Sequence, residues 1–159
     1  MNEQQHDLLD RFADAARDLL ERANDRMDGL SREVAHFLRV HAAQGVIDNG
    51  GYRLFFESDW DDRPPYQVFV DAYAAMGCES QSHDLARVAD TFGFAEPHAS
   101  PKLRNAFIGE HYDEDEGSVI LWGDALCGDE SVWSALLAYA EQHAAQFDPN
   151  LDPNLDIDG

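Results

Sequence analysis

Eight carboxylates near the start of the chain, Glu3, Asp7, Asp10, Asp14, Asp18, Glu21, Asp25 and Asp28, recur at steps of 4, 3, 4, 4, 3, 4 and 3. On an α-helix these steps keep one line, within a stripe roughly 80° wide, with an axial spacing of about 5.4 Å over roughly 37 Å. The chemistry open to such a row is electrostatic: a straight array of negative charge that a basic surface can meet. Arg11, Arg17, Arg22 and Arg26 flank the row instead of interrupting it. Asp7–Arg11 and Asp18–Arg22 place the acid on the favoured N-terminal side of an i, i+4 pair, worth about 0.2–0.5 kcal/mol each. The plain alternative is a solvated outer face. Against it stands the cost of like charges at i, i+3 and i+4, which a helix selected only for stability would relieve with lysines. A second acidic run, Asp113-Glu114-Asp115-Glu116, is a further candidate contact.

Other reactive side chains make poorer arrangements. The seven histidines (6, 36, 41, 83, 98, 111 and 143) form no HExxH and no i, i+4 pair, so no metal site is expected. Cys78, His83 and Asp84 contain the ingredients of a nucleophile and a base. Their closeness in sequence rarely gives the required geometry, and a thiol at a helix end is more often a packing group. No catalytic residue is assigned, and no cofactor is expected. Asn154-Leu155-Asp156-Ile157-Asp158-Gly159 copies the first half of a calcium loop, but the bidentate Glu does not follow.

The elements that would carry these residues are helical. Leu8, Leu9, Phe12, Ala16, Leu19, Leu20 and Ala23 repeat with a 3.6 period opposite the acidic row, predicting a long amphipathic helix over 4–28 that Gly29 breaks. Ser31 is a suitable N-cap for a second helix, which ends on Asn49-Gly50-Gly51 and restarts with Tyr52, Phe55 and Phe56. The paired glycines predict a left-handed or close-approach corner, and the three rings predict the core beneath it. Further helices are predicted around Val68–Met76, stopped by Gly77; from Ser82 as N-cap to Gly93; after Ser100-Pro101; and after Asp129. Ser118–Trp122 is the one β-like run, expected as a short extended segment. The expected fold is all-α: a single compact multi-helix domain over 1–147, with a flexible acidic tail over 148–159.

Charge narrows the function classes. The 159 residues carry 32 acids and 11 bases, a net charge of −21. After Arg104 there is no Lys or Arg, while thirteen acids follow. Direct binding to nucleic acid is opposed, because a binder needs cations to displace phosphate counterions. Basic partners are favoured. The bland alternative is salt adaptation, which ten Arg against one Lys would also fit. No apolar run reaches the roughly 18–20 residues of a membrane span. The N-terminus lacks the pattern of a signal peptide, and two cysteines make no disulfide framework, so a cytoplasmic setting is the expectation.

From about Leu30 to Phe147 the chain resembles the bacterial DNA-mimic protein domain family. The resemblance rests on the Asn49-Gly50-Gly51-Tyr52 corner, Phe55-Phe56, the helix ending in Met76-Gly77, the next helix with Ala86 and Ala89, and the Leu137-Ala138-Tyr139 helix. Leu54 departs from it, standing where the family pattern implies a polar Gln. The resemblance implies an all-helical, dimer-prone, acidic cytoplasmic protein that presents carboxylates, as duplex DNA presents phosphates, to a basic DNA-binding protein. Asn49, Gly50, Gly51, Tyr52, Phe55 and Phe56 carry over as fold residues only. The expected function is therefore an acidic protein-binding module that occupies a partner's nucleic-acid-binding surface. An immunity-type protein that neutralises one toxin is the runner-up, and a salt-adapted structural domain the third reading.

Overall fold

The computed structural model describes residues 1–111 and 128–148. Among these residues seven α-helices follow one another: α1 (Glu3–Arg22), α2 (Arg32–Glu57), α3 (Gln67–Ala75), α4 (Glu79–Ala89), α5 (Pro101–His111), α6 (Glu130–Gln142) and α7 (Ala144–Phe147). Single 3-10 turns lie at Met27–Gly29 and Pro97–Ala99, and no strand occurs among the described residues. The described residues are all-α, as their periodicity predicts. The acidic run Asp113–Glu116, the segment 118–122 and the tail after Asp148 lie outside the described residues.

α1 starts on a reciprocal cap: Asn2 Oδ1 accepts from Gln5 N and Gln5 Oε1 accepts from Asn2 N, both at 2.9 Å. This satisfies two of the orphan N–H groups of the first turn. The helix ends six residues earlier than predicted. Asn24 and Asp25 take left-handed φ values of 55° and 59°, and their N–H groups turn back to Glu21 O and Leu20 O, each at 2.9 Å. Short polar side chains tolerate this conformation better than most, so the stop is Asn24-Asp25 rather than Gly29.

α2 begins after Ser31, whose Oγ accepts from Val34 N at 3.3 Å. Its helical course is interrupted at Gly50 (φ −162°, ψ 21°) and Gly51 (φ 63°, ψ −165°). The Gly51 values belong to a region that is essentially glycine-only. The corner predicted at these glycines is therefore present, and Tyr52, Phe55 and Phe56 directly after it are fully buried.

Gly77 (φ 76°) closes α3 as expected. Ser82, predicted to cap the next helix, instead lies inside α4, buried, with Oγ donating to Val70 O at 2.9 Å. The connection is tighter than a capped loop allows, since Cys78 N already returns to Tyr73 O at 3.0 Å and α4 starts at Glu79. α5 starts on Pro101, whose missing N–H costs nothing at a first helical position.

Contacts group the chain into two units, Met1–His41 with Glu130 onward, and Ala42–Asp129. In the first, Phe12 and Phe37 both meet Phe147 edge-on, at 5.3 and 5.1 Å between ring centres. Leu9, Ala13, Ala16, Val34, Val132, Leu136 and Ala140 are among the other residues buried there. In the second, Phe55 is central, with Phe56, Trp60, Tyr66 and Phe69 within 4.9–5.8 Å of its ring. Burial of this aromatic area is the main source of that unit's stability.

Candidate interaction surface

α1 presents one face to its core and the other to solvent. Leu9, Phe12, Ala13 and Ala16 are buried. Glu3, Asp7, Asp10, Asp14, Asp18 and Glu21 are all exposed, on one continuous helix. Between Glu3 and Glu21 the row spans about 27 Å at 1.5 Å per residue. Asp25 and Asp28, expected as its last two members, are exposed but lie beyond the helix end, on the left-handed turn and on the 3-10 turn. The straight row thus has six carboxylates, not eight.

Of the flanking arginines, Arg17 pairs with the row and Arg26 with Asp28 beyond it. Arg17 Nη1 donates to Asp14 Oδ1 at 2.6 Å, an exposed i, i+3 pair worth no more than about 1 kcal/mol. Arg26 grips Asp28 through Nε and Nη2 at 3.0 and 2.8 Å, and this hydrogen bonding holds the Asp28 carboxyl below its ordinary range. Behind the row, in the same unit, His41 stacks on Phe37 at 5.8 Å and meets Trp133 edge-on at 5.6 Å. Burial lowers its pKa below the ordinary 6.5, the charge of Arg17 adds to that, and Asp10 opposes it.

The Asn49–Phe56 corner has a different character. Asn49 Nδ2 donates back to Gly45 O at 2.7 Å, and the Tyr52 hydroxyl donates to Asp84 Oδ2 at 3.0 Å. Burial, then the Asp84 charge, pushes the Tyr52 hydroxyl far above its ordinary pKa. Asp84 is also held by Arg87 at 2.7 Å. These are contacts that fix a fold. The Cys78, His83 and Asp84 trio is likewise separated in role: Cys78 is buried, His83 is exposed, and Asp84 serves Tyr52 and Arg87. Burial raises the Cys78 pKa, opposite to what a thiolate nucleophile requires.

Two polar centres of the second unit escaped the sequence reading. Arg104 is buried, with Nη1 donating to Pro97 O and His98 O at 3.1 and 3.2 Å and Nη2 to Ser58 O at 3.3 Å. Beside it burial pushes the Tyr66 hydroxyl up to about 12, the Arg104 charge opposing. Gln44, fully buried, accepts from the Tyr73 hydroxyl at 2.9 Å and donates to Asp48 at 2.7 Å. Asp48 in turn accepts from Gly128 N at 2.8 Å. Only their places amid apolar periodicity hinted at either role. Among the described residues no group of three or more His, Cys, Asp or Glu could hold a metal ion, and no helix is long and apolar enough to cross a membrane.

Residues 28–143 match the family described as DMP19-like protein. No curated protein and no solved structure matches the chain. The match begins at Asp28, so the row on α1 precedes it. With most of its length accounted for in this way, the chain belongs to the DMP19-like protein family, a family of DNA mimics.

Proposed function

We propose that the protein acts by binding rather than catalysis, and that the six carboxylates of α1 occupy the basic nucleic-acid-binding surface of a partner protein. The observation that carries this reading is the exposed row from Glu3 to Glu21 on one rigid helix, in a chain of a DNA-mimic family. One strand of duplex DNA offers a charge about every 3.4 Å along its axis, and the row offers one about every 5.4 Å. The row is sparser, but it shares the sign and the linearity. A folded helix holds its charges without the ordering cost that an unstructured segment incurs on binding. Family membership supports the class of activity, and the choice of α1 as the contact is specific to this chain.

The test begins with a partner captured from the native host and released by salt. Its affinity is then measured across a salt series, with duplex DNA as competitor. Reversing Asp10, Asp14, Asp18 and Glu21 to Lys is expected to abolish binding with the helical spectrum unchanged. Removing residues 149–159 is expected to cost much less. A stripe variant that binds normally would show that α1 is only a solvated face.

A further inference from the structure

A cavity of about 250 Å³ opens in the first unit, where the end of α1 faces the start of α2. Its lining is mixed: Leu19, Ala23, Leu30 and Val34 give it an apolar part, and Arg22, Ser31 and Gln146 a polar one. Arg22 carries the lining's one full charge, and Ser31 stands there just before the first turn of α2. A pocket with this lining suits an aliphatic side chain followed by a carboxylate. The aliphatic group takes the four apolar side chains. The carboxylate takes the Arg22 guanidinium and the positive end of the α2 dipole.

The chain carries such a segment twice. Asp148-Pro149-Asn150-Leu151 and Asp152-Pro153-Asn154-Leu155 repeat one pattern, and each Leu is followed by an Asp. Nothing in the proposed contact on α1 uses this repeat. Gln146, in the pocket lining, lies five residues before Leu151 and nine before Leu155. At about 3.3 Å per extended residue these spans reach roughly 16 and 30 Å, enough for a return to the pocket from its own lining. Each proline fixes one φ angle, so the segment loses less freedom on docking than a glycine-rich one would. Charge agrees as well, since the residues from 149 onward carry Asp152, Asp156 and Asp158 and no cation to oppose Arg22.

We infer that this pocket is the docking site for the chain's own C-terminal segment, 149–159, with a Leu of the repeat in the apolar part and the following Asp at Arg22. The inference does not rest on the proposed partner contact of α1.

The test uses the full chain and its backbone amide NMR spectrum. Leu151→Ala combined with Leu155→Ala is expected to shift the Ala23, Gly29 and Leu30 resonances while leaving those of α3 and α4 in place. Residues 149–159 should at the same time acquire the heteronuclear relaxation of a free chain. Arg22→Gln is expected to give the same changes in smaller measure, and 1 M salt should reproduce its effect in the wild type. Two results would overturn the inference. One is a double variant whose pocket resonances coincide with the wild type. The other is a set of pocket shifts that follow protein concentration, which would place a second copy there instead.

Discussion

A Cβ built on Gly50 would stand 2.7 Å from Leu54 Cβ and 2.9 Å from its Cδ2. The first of these atoms belongs to the stem of the side chain and cannot swing away. Leu54 itself is 38 % exposed, so its bulk contributes little to the core. What the pair requires is absence of a side chain at Gly50, and next to it Gly51 requires a backbone that only glycine adopts readily.

Gly51→Ala is therefore expected to lower stability by about 1–3 kcal/mol, and Gly50→Ala to lower it as well. Leu54→Ala should not rescue Gly50→Ala, because the nearest contact is to Cβ. Urea unfolding of the three single variants and the double variant checks this. Wild-type midpoints for both glycine variants would mean that the corner carries no strain.

Asp25→Gly is expected to raise stability by about 1 kcal/mol, because a left-handed residue with a Cβ is replaced by one without. The same substitution removes one carboxylate that lies past the end of α1. Partner affinity should change far less than with Asp18→Asn, whose carboxylate is on the helix. A loss as large from Asp25→Gly would show that the contact runs past Arg22.

Tyr52→Phe deletes the hydroxyl that donates to Asp84 at 3.0 Å while keeping the buried ring. Hydrogen bonds to charged acceptors contribute about 1.5–3 kcal/mol, and Arg87 still satisfies Asp84 here, so a loss near the lower end is expected. Thermal unfolding measures it, and partner binding should be untouched because Tyr52 is a fold residue.

His41 gives the pH dependence. Its folded pKa is lowered below the ordinary 6.5, chiefly by burial, so the folded state prefers the neutral ring. Between the two pKa values the unfolded chain binds more protons, and stability rises with pH. Its contribution is complete above about pH 6.5 and is lost as pH falls through the lower folded value. His41→Phe keeps a ring against Phe37 and Trp133 but cannot titrate. The variant should lose this part of the acid destabilisation, seen as a flatter midpoint as pH falls below 6.5. An unchanged slope would assign the effect to the carboxylates instead.

Much of this protein was determined by sequence alone, wherever a local rule decides the outcome. Helix periodicity, Ser31, Pro101, Gly77 and the paired glycines act over a few residues, and their elements stand where those rules put them. The exposure of Glu3 to Glu21 follows from the same periodicity, because the core must take the opposite face. The stop at Asn24-Asp25 was also written locally, but a glycine five residues on is the stronger signal and concealed it. Tertiary structure alone decided the rest. Ser82 has the chemistry of a cap, yet packing of α4 on α3 brings Val70 O within its reach and holds it inside the helix. Arg104 is buried because the carbonyls of residues 58, 97 and 98 converge on it. Buried Gln44 and half-buried Asp48 became a link to Gly128, eighty positions along the chain from Asp48. Such roles depend on which distant backbone groups arrive beside a side chain, and no periodicity along the sequence encodes that arrival.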